Sequence, residues 1–268
     1  RFREARPLYE RAWQLGSSDE VMLRRLLKIY REDQDVFGES TVLEELVSLH
    51  PTDSELTYSL ATTYRILGAS AESIQMLQVM RKRDPKHAQC RFMLGKIAHR
   101  EGNIEEATIL LHEALAIEPD HAPVHAFLGD MNNKSGDLTA GAEHYERAIQ
   151  ANPRTVSNYI KARNAHADAG DTDAEYDVIT RFYAAHPQNR QAIILYADIV
   201  FATRGSDEAI QLLENAIDNN HRDLVLPRQA AALMWDHKCQ QEAQDLLEGL
   251  MENPETKLDA GLTLVRLL

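Results

Sequence analysis

The stretch Ala88 to Pro119, AQCRFMLGKIAHREGNIEEATILLHEALAIEP, and the stretch Ala122 to Pro153, APVHAFLGDMNNKSGDLTAGAEHYERAIQANP, carry one pattern 34 residues apart. Each holds two segments with apolar residues at helical spacing, parted by a glycine and closed by a proline, and so reads as two amphipathic helices. Outward from this pair, prolines recur in the same register at Pro51, Pro85, Pro119, Pro153 and Pro187. A fixed period of this length marks a helical unit that buries its apolar face by stacking on its neighbours.

With each repeat numbered from 1 and the proline at 32, every recurring residue type has a physical task. Small residues occupy position 8 (Ala61, Gly95, Gly129, Ala197, Ala231), position 20 (Ala5, Ser73, Ala107, Gly141, Ala209, Ala243) and position 27 (Ala12, Ala114, Ala148, Ala216). They let helices approach closely, and larger residues at positions 7 and 24, such as Leu60 with Leu77 and Leu94 with Leu111, fill the space between. Glycine at position 15 (Gly68, Gly102, Gly136, Gly170) suits a left-handed turn after the first helix, and the proline stops the second.

This pattern resembles the tetratricopeptide repeat (TPR) family, and the resemblance covers essentially the whole chain. It implies an all-α, right-handed solenoid of stacked antiparallel helix pairs. Residues 1–19 read as a half repeat, followed by full repeats at 20–53, 54–87, 88–121, 122–155, 156–189, 190–223 and 224–257, with 258–268 starting another. Departures fall at Gln34, where glycine is expected, at His221, where proline is expected, at Gly205, one residue late, and at Pro254, which comes early. The chain opens on Arg1, partway through a repeat, and ends on the apolar run Leu262 to Leu268, so further repeats are expected to flank it.

Composition narrows the functional classes. The 268 residues are 44% hydrophobic and 26% charged, as in an ordinary globular protein. A formal charge of −13 argues against a protein that coats nucleic acid or an anionic membrane. The longest apolar stretch, Ala192 to Thr203, is interrupted by Asp198 and falls short of a membrane span, so no direct insertion is expected from this segment. Cys90 and Cys239 lie in repeats four units apart and are not expected to pair.

Catalytic constellations are not recognisable, and neither a cofactor nor a metal is expected. Glycines sit at helix junctions rather than in a phosphate cradle. His121 and His125, four residues apart, lack a third ligand and read as surface histidines. Cys90 has no aligned base, since His99 lies nine residues on and faces elsewhere, and it reads as a partly buried thiol. The pairs Glu44-Glu45 and Glu105-Glu106 read as a solvated face.

The resemblance further implies that the first helix of each repeat lines a concave groove through positions 2, 5, 9, 12 and 13. In the first three full repeats these positions hold Arg24, Lys28, Arg31, Arg65, Lys96 and Arg100 against Glu32 and Glu55, with Tyr58, Phe92 and His99 among them. Residues 1–121 as a whole are net acidic, with 16 basic and 20 acidic side chains, so positive charge is concentrated on the groove. An acidic partner segment is expected at this end. In the other four repeats Asp130, Asp168, Asp198 and Asp236 oppose Lys134 and Arg228, while Ile160, Ile194, Phe201 and Trp235 are apolar and Asn164 is polar. An exposed apolar cluster would mark an interaction surface, unless tighter curvature buries it.

Some TPR proteins clamp a carboxylate tail with a Lys and an Asn at positions 5 and 9; no repeat here supplies both, and Asn164 stands alone where other arrays carry an asparagine ladder. The leading expectation is therefore a non-enzymatic scaffold that binds a protein segment or domain in its groove. Two alternatives are the periplasmic TPR scaffold region of a bacterial exopolysaccharide modification and export protein, and the recognition arm of a larger enzyme such as a TPR-bearing transferase.

Overall fold

The computed structural model describes residues 2–252 and 256–268, among which there are sixteen α-helices and no strand. Pro254 lies outside the described residues. The chain divides into two compact units, one ending at Val124 and the other running from His125 to Leu268.

The first helices of successive pairs are α2 (Glu20–Glu32), α4 (Ser54–Ile66), α6 (Ala88–Arg100), α8 (Ala122–Ser135), α10 (Val156–Ala169), α12 (Arg190–Thr203), α14 (Leu226–Asp236) and α16 (Lys257–Leu267). The second helices are α1 (Phe2–Gln14), α3 (Val36–Leu49), α5 (Ser70–Arg83), α7 (Ile104–Ile117), α9 (Leu138–Ala151), α11 (Thr172–Ala185), α13 (Ser206–Asn219) and α15 (Gln240–Met251). Every second helix begins 34 residues after the previous one. So do the first helices from α2 to α12, whereas α14 begins two residues late.

Chain chemistry explains these boundaries. Gly68, Gly102, Gly136 and Gly170 have φ of 82°, 86°, 90° and 76°, the left-handed conformation that closes a first helix. The amide after each turn donates back five residues, as in Ala69 to Tyr64 at 2.9 Å and Asn103 to Ala98 at 2.9 Å. Gln34 and Lys238 stand at the same repeat position and adopt the same turn, with φ of 57° and 66°, so the turn persists where its preferred residue is missing. At the other end, the residues preceding the prolines, His50, Asp84, Glu118, Asn152 and His186, leave helical geometry with ψ between 62° and 90°. A following proline clashes with the helical form of its predecessor, which ends the second helix there. Where His221 replaces proline, the linker to α14 grows from four residues to six.

Within the first unit, Leu26, Leu43, Leu77 and Leu111 are fully buried and Leu60 nearly so. Each such side chain contributes about 1.5–3 kcal/mol relative to its exposed form. Close approach at the small positions is visible where Ser73 Oγ donates to the Ala61 carbonyl oxygen at 2.7 Å. Within the second unit, Tyr159 stacks on Phe182 with centroids 5.2 Å apart, and Tyr183 on Tyr196 at 4.5 Å. The pair α10 and α11 carries no small residue at positions 8 and 20; Arg163 and Glu175 form an ion pair of 2.7 Å there instead.

Candidate partner-binding faces

In the first unit, apolar positions of α2 turn inward and leave Arg24, Lys28 and Arg31 on the opposite face, each about half exposed or more. All three already have acidic neighbours: Arg24 bonds Glu20 at 2.8 Å, Lys28 lies 3.9 Å from Glu32, and Arg31 bonds Glu39 at 2.7 Å. Hydrogen bonds from Arg24 and then His50 hold the Glu20 carboxyl below its ordinary range. Glu20 and Glu39 are not among the five groove positions, so their partial neutralisation of the stripe emerges only in three dimensions. Arg65, at the end of α4, has no ion-pair partner among the described residues, and its Nε is buried without a hydrogen bond. Arg100 is exposed at the end of α6, and His99 beside it is partly buried.

The aromatic members are placed by histidines that no groove pattern signalled. Tyr58 lies against His87 with centroids 5.6 Å apart, and Phe92 against His121 at 5.5 Å. Both histidines cap a helix: His87 Nδ1 accepts the Cys90 amide at 3.1 Å, and His121 Nδ1 accepts the Val124 amide at 3.3 Å. The acceptor role leaves the proton of each neutral ring on Nε2, which His121 donates to Gln89 at 2.6 Å. Phe92 is only 7% exposed, and the Lys96 ammonium lies 5.3 Å from its ring centroid. This face is thus cationic over an aromatic base.

Two expectations for histidines and cysteine are corrected by burial. His121 and His125 are 6% and 3% exposed, not surface residues. In the second unit His125 and His144 face each other through Nδ1 atoms 3.1 Å apart. Among the described residues, no three His, Cys, Asp or Glu side chains converge as a metal site. Cys90 is fully rather than partly buried, and burial pushes its thiol up to about 11, with Sγ directed at the Leu77 carbonyl oxygen.

In the second unit the acidic positions are also engaged. Asp130 accepts from Lys161 Nζ at 2.6 and 2.8 Å and from the Tyr145 hydroxyl at 2.8 Å. Asp198 accepts from His237 Nε2 at 2.7 Å, and the His237 ring lies flat on Phe201, with centroids 4.4 Å apart. Phe201 is therefore 8% exposed and belongs to the core, not to an exposed groove surface. Ile160, Ile194 and Trp235 are half-buried, packed at the margins of the core clusters. Asn164 is exposed and accepts from Arg163 at 3.3 Å. Lys161 and His237 were missed because neither occupies one of the five groove positions; their signal is a titratable residue about one repeat from a groove aspartate.

Known proteins share the repeat pattern over part of the chain. A family model described as tetratricopeptide repeat matches residues 65–131. Tetratricopeptide repeat protein 21A of Mus musculus is 28% identical over 111 residues, which is 41% of this chain and 8% of that one. The chain thus spans a small part of this relative's length. Among solved structures, pilF of Pseudomonas aeruginosa is similar with a TM-score of 0.55 at 15% identity, covering 81% of this chain and 92% of that one. The C-terminal part of a TPR repeat-containing protein from Cytophaga hutchinsonii has a TM-score of 0.55 at 15% identity, covering 92% and 94%. MamA has a TM-score of 0.50 at 20% identity, covering 61% and 95%. At these identities the structures attest the fold alone. Residues 65–131 match the tetratricopeptide repeat family model, and the 34-residue helix pairs with their left-handed turns extend the same pattern through the other described residues.

Proposed function

We propose that the chain is a non-enzymatic scaffold whose first-helix faces hold protein partners, an acidic segment on the first unit and a segment with apolar anchors on the second. The observation that carries this reading is Arg65, a cation at the end of α4 with no ion-pair partner among the described residues. A partner carboxylate meeting the Arg65 guanidinium would form a charge-assisted hydrogen bond worth about 1.5–3 kcal/mol. Arg100 and Lys96 supply further charge, and the half-buried Tyr58 supplies contact area. On the second unit, Trp235, Ile160 and Ile194 keep part of their apolar surface accessible. No described residue favours the exopolysaccharide or transferase reading over this one.

A fluorescent glutamate-rich peptide tests the first face. Binding should weaken steeply with added salt, and Arg65→Gln should lower affinity at every salt concentration with an unchanged circular dichroism spectrum. Arg31, Arg65 and Arg100 changed together to Glu should abolish it. If that triple variant binds the peptide as tightly as the parent chain, the face is not the site.

A further inference from the structure

A separate groove lies on the second unit, away from the first-helix faces. It is a 510 Å³ hollow between α11, the turn before α12, and α13. Five carboxamides line it: Gln188, Gln211, Asn215, Asn219 and Asn220. Tyr183, Pro187, Leu212 and Ala216 supply its apolar walls. The one charged group in the lining, Glu208, is bonded to Arg204 at 2.8 Å. The hollow continues through Asn219 and Asn220 into a second one of 770 Å³ along residues 221–225, the linker lengthened where the repeat loses its proline.

The carboxamides have a spacing with chemical meaning. Gln211, Asn215 and Asn219 follow one another at four-residue intervals on α13, which sets them about 6 Å apart along one helix face. An extended polypeptide repeats its outward-facing groups every two residues, about 6.6 Å, so a chain laid along α13 stays nearly in step over this length. Each carboxamide offers one acceptor and two donor hydrogens, the complement of a peptide group. Gln188, Gln211 and Asn215 make no side-chain hydrogen bond among the described residues, while Asn219 and Asn220 donate to backbone carbonyls of their own helix and retain their acceptor oxygens.

We propose that this groove binds an extended, uncharged polypeptide segment of a protein partner, recognised mainly through its main chain. Side chains on one side of the segment would meet Leu212, Ala216 and Tyr183, and the neutral lining selects against charged segments. The groove shares no residue with the first-helix faces, so it constitutes a second docking surface.

The probe is a blocked hexapeptide of alternating Ser and Val, compared with its twin N-methylated at alternate amides and with a linear hexasaccharide of neutral glucose units. Side-chain amide signals of Gln211 and Asn215 should shift with the hexapeptide and stay in place with the N-methylated twin. Changing Gln211→Glu and Asn215→Asp keeps the shape but removes donors, and should weaken hexapeptide binding by about tenfold. Arg65→Glu should leave it unchanged, which separates this groove from the acidic-segment site. Signals moved by the saccharide and not by the peptide, signals moved equally by both peptides, or no shift at millimolar hexapeptide would each overturn the proposal.

Discussion

Gly129 faces the Tyr145 ring so closely that a β-carbon on Gly129 would lie 2.6 Å from Tyr145 Cε1. The ring is 2% exposed and its hydroxyl is bonded to Asp130, so it has little freedom to swing aside. Gly95 occupies the same repeat position in α6, but a β-carbon there would meet Leu111 Cγ at 3.2 Å and the Ala107 carbonyl oxygen at 3.3 Å, a milder overlap than at Gly129. Gly129→Ala is therefore expected to cost about 1–3 kcal/mol and Gly95→Ala less, as read from chemical denaturation. Equal effects would mean that the Tyr145 ring relaxes as readily as a leucine.

Gln34 and Lys238 hold the left-handed turn with side chains that disfavour it. Glycine removes the clash between β-carbon and backbone, at the expense of a more flexible unfolded chain. Gln34→Gly and Lys238→Gly should each raise stability by about 0.5–1 kcal/mol, visible as a higher melting temperature. A lower melting temperature in both would show that unfolded-chain entropy outweighs the strain.

Asp223 joins the turn before α14 to an ion pair: it accepts from the amides of Val225 and Leu226 at 3.0 and 3.1 Å and from Arg190 at 3.0 Å. Burial alone would raise its carboxyl pKa, but these three donors outweigh burial and hold it below the ordinary value of 3.8. A depressed carboxyl stabilises the fold above its unfolded value and loses that contribution as pH falls through the folded one. Asp223→Ala should cost about 0.5–2 kcal/mol at neutral pH, and the gap from the parent protein should close below pH 3.8. A gap independent of pH would assign the loss to packing.

Cys90 should react only when the fold opens. With its thiol pushed up to about 11 and no exposed surface, alkylation at pH 8 in a Cys239→Ser background should be slow. Its rate should rise with denaturant in parallel with loss of helical signal. Rapid labelling of the native protein would place a local opening at α6.

The parts of the fold legible in sequence are those set by one residue and its chain neighbours. Pro51 ends a helix through a clash with His50, and Gly102 turns the chain because it lacks a β-carbon; both effects are local. The core followed from periodicity, since Leu77 and Leu111 have only one face to bury. Exposure at the faces was less legible. Phe201 sits at a position read as groove-facing, yet its burial depends on His237, whose ring arrives from the following pair along a shortened α14. The histidine caps were hidden because His87 and His121 take a place usually held by Asp, Asn, Ser or Thr. Charge on α2 was read without Glu39, which approaches Arg31 from the second helix.

The Lys161 ammonium on Asp130 has a consequence for ionic-strength titrations of the second unit. A basic side chain from outside can reach that carboxylate only by evicting a cation already seated there, so the encounter is an exchange between equals. One ion pair forms as another dissolves, and screening by salt acts on both sides of the equilibrium. Binding at Asp130 should therefore be nearly indifferent to salt, in contrast to the steep dependence expected at Arg65.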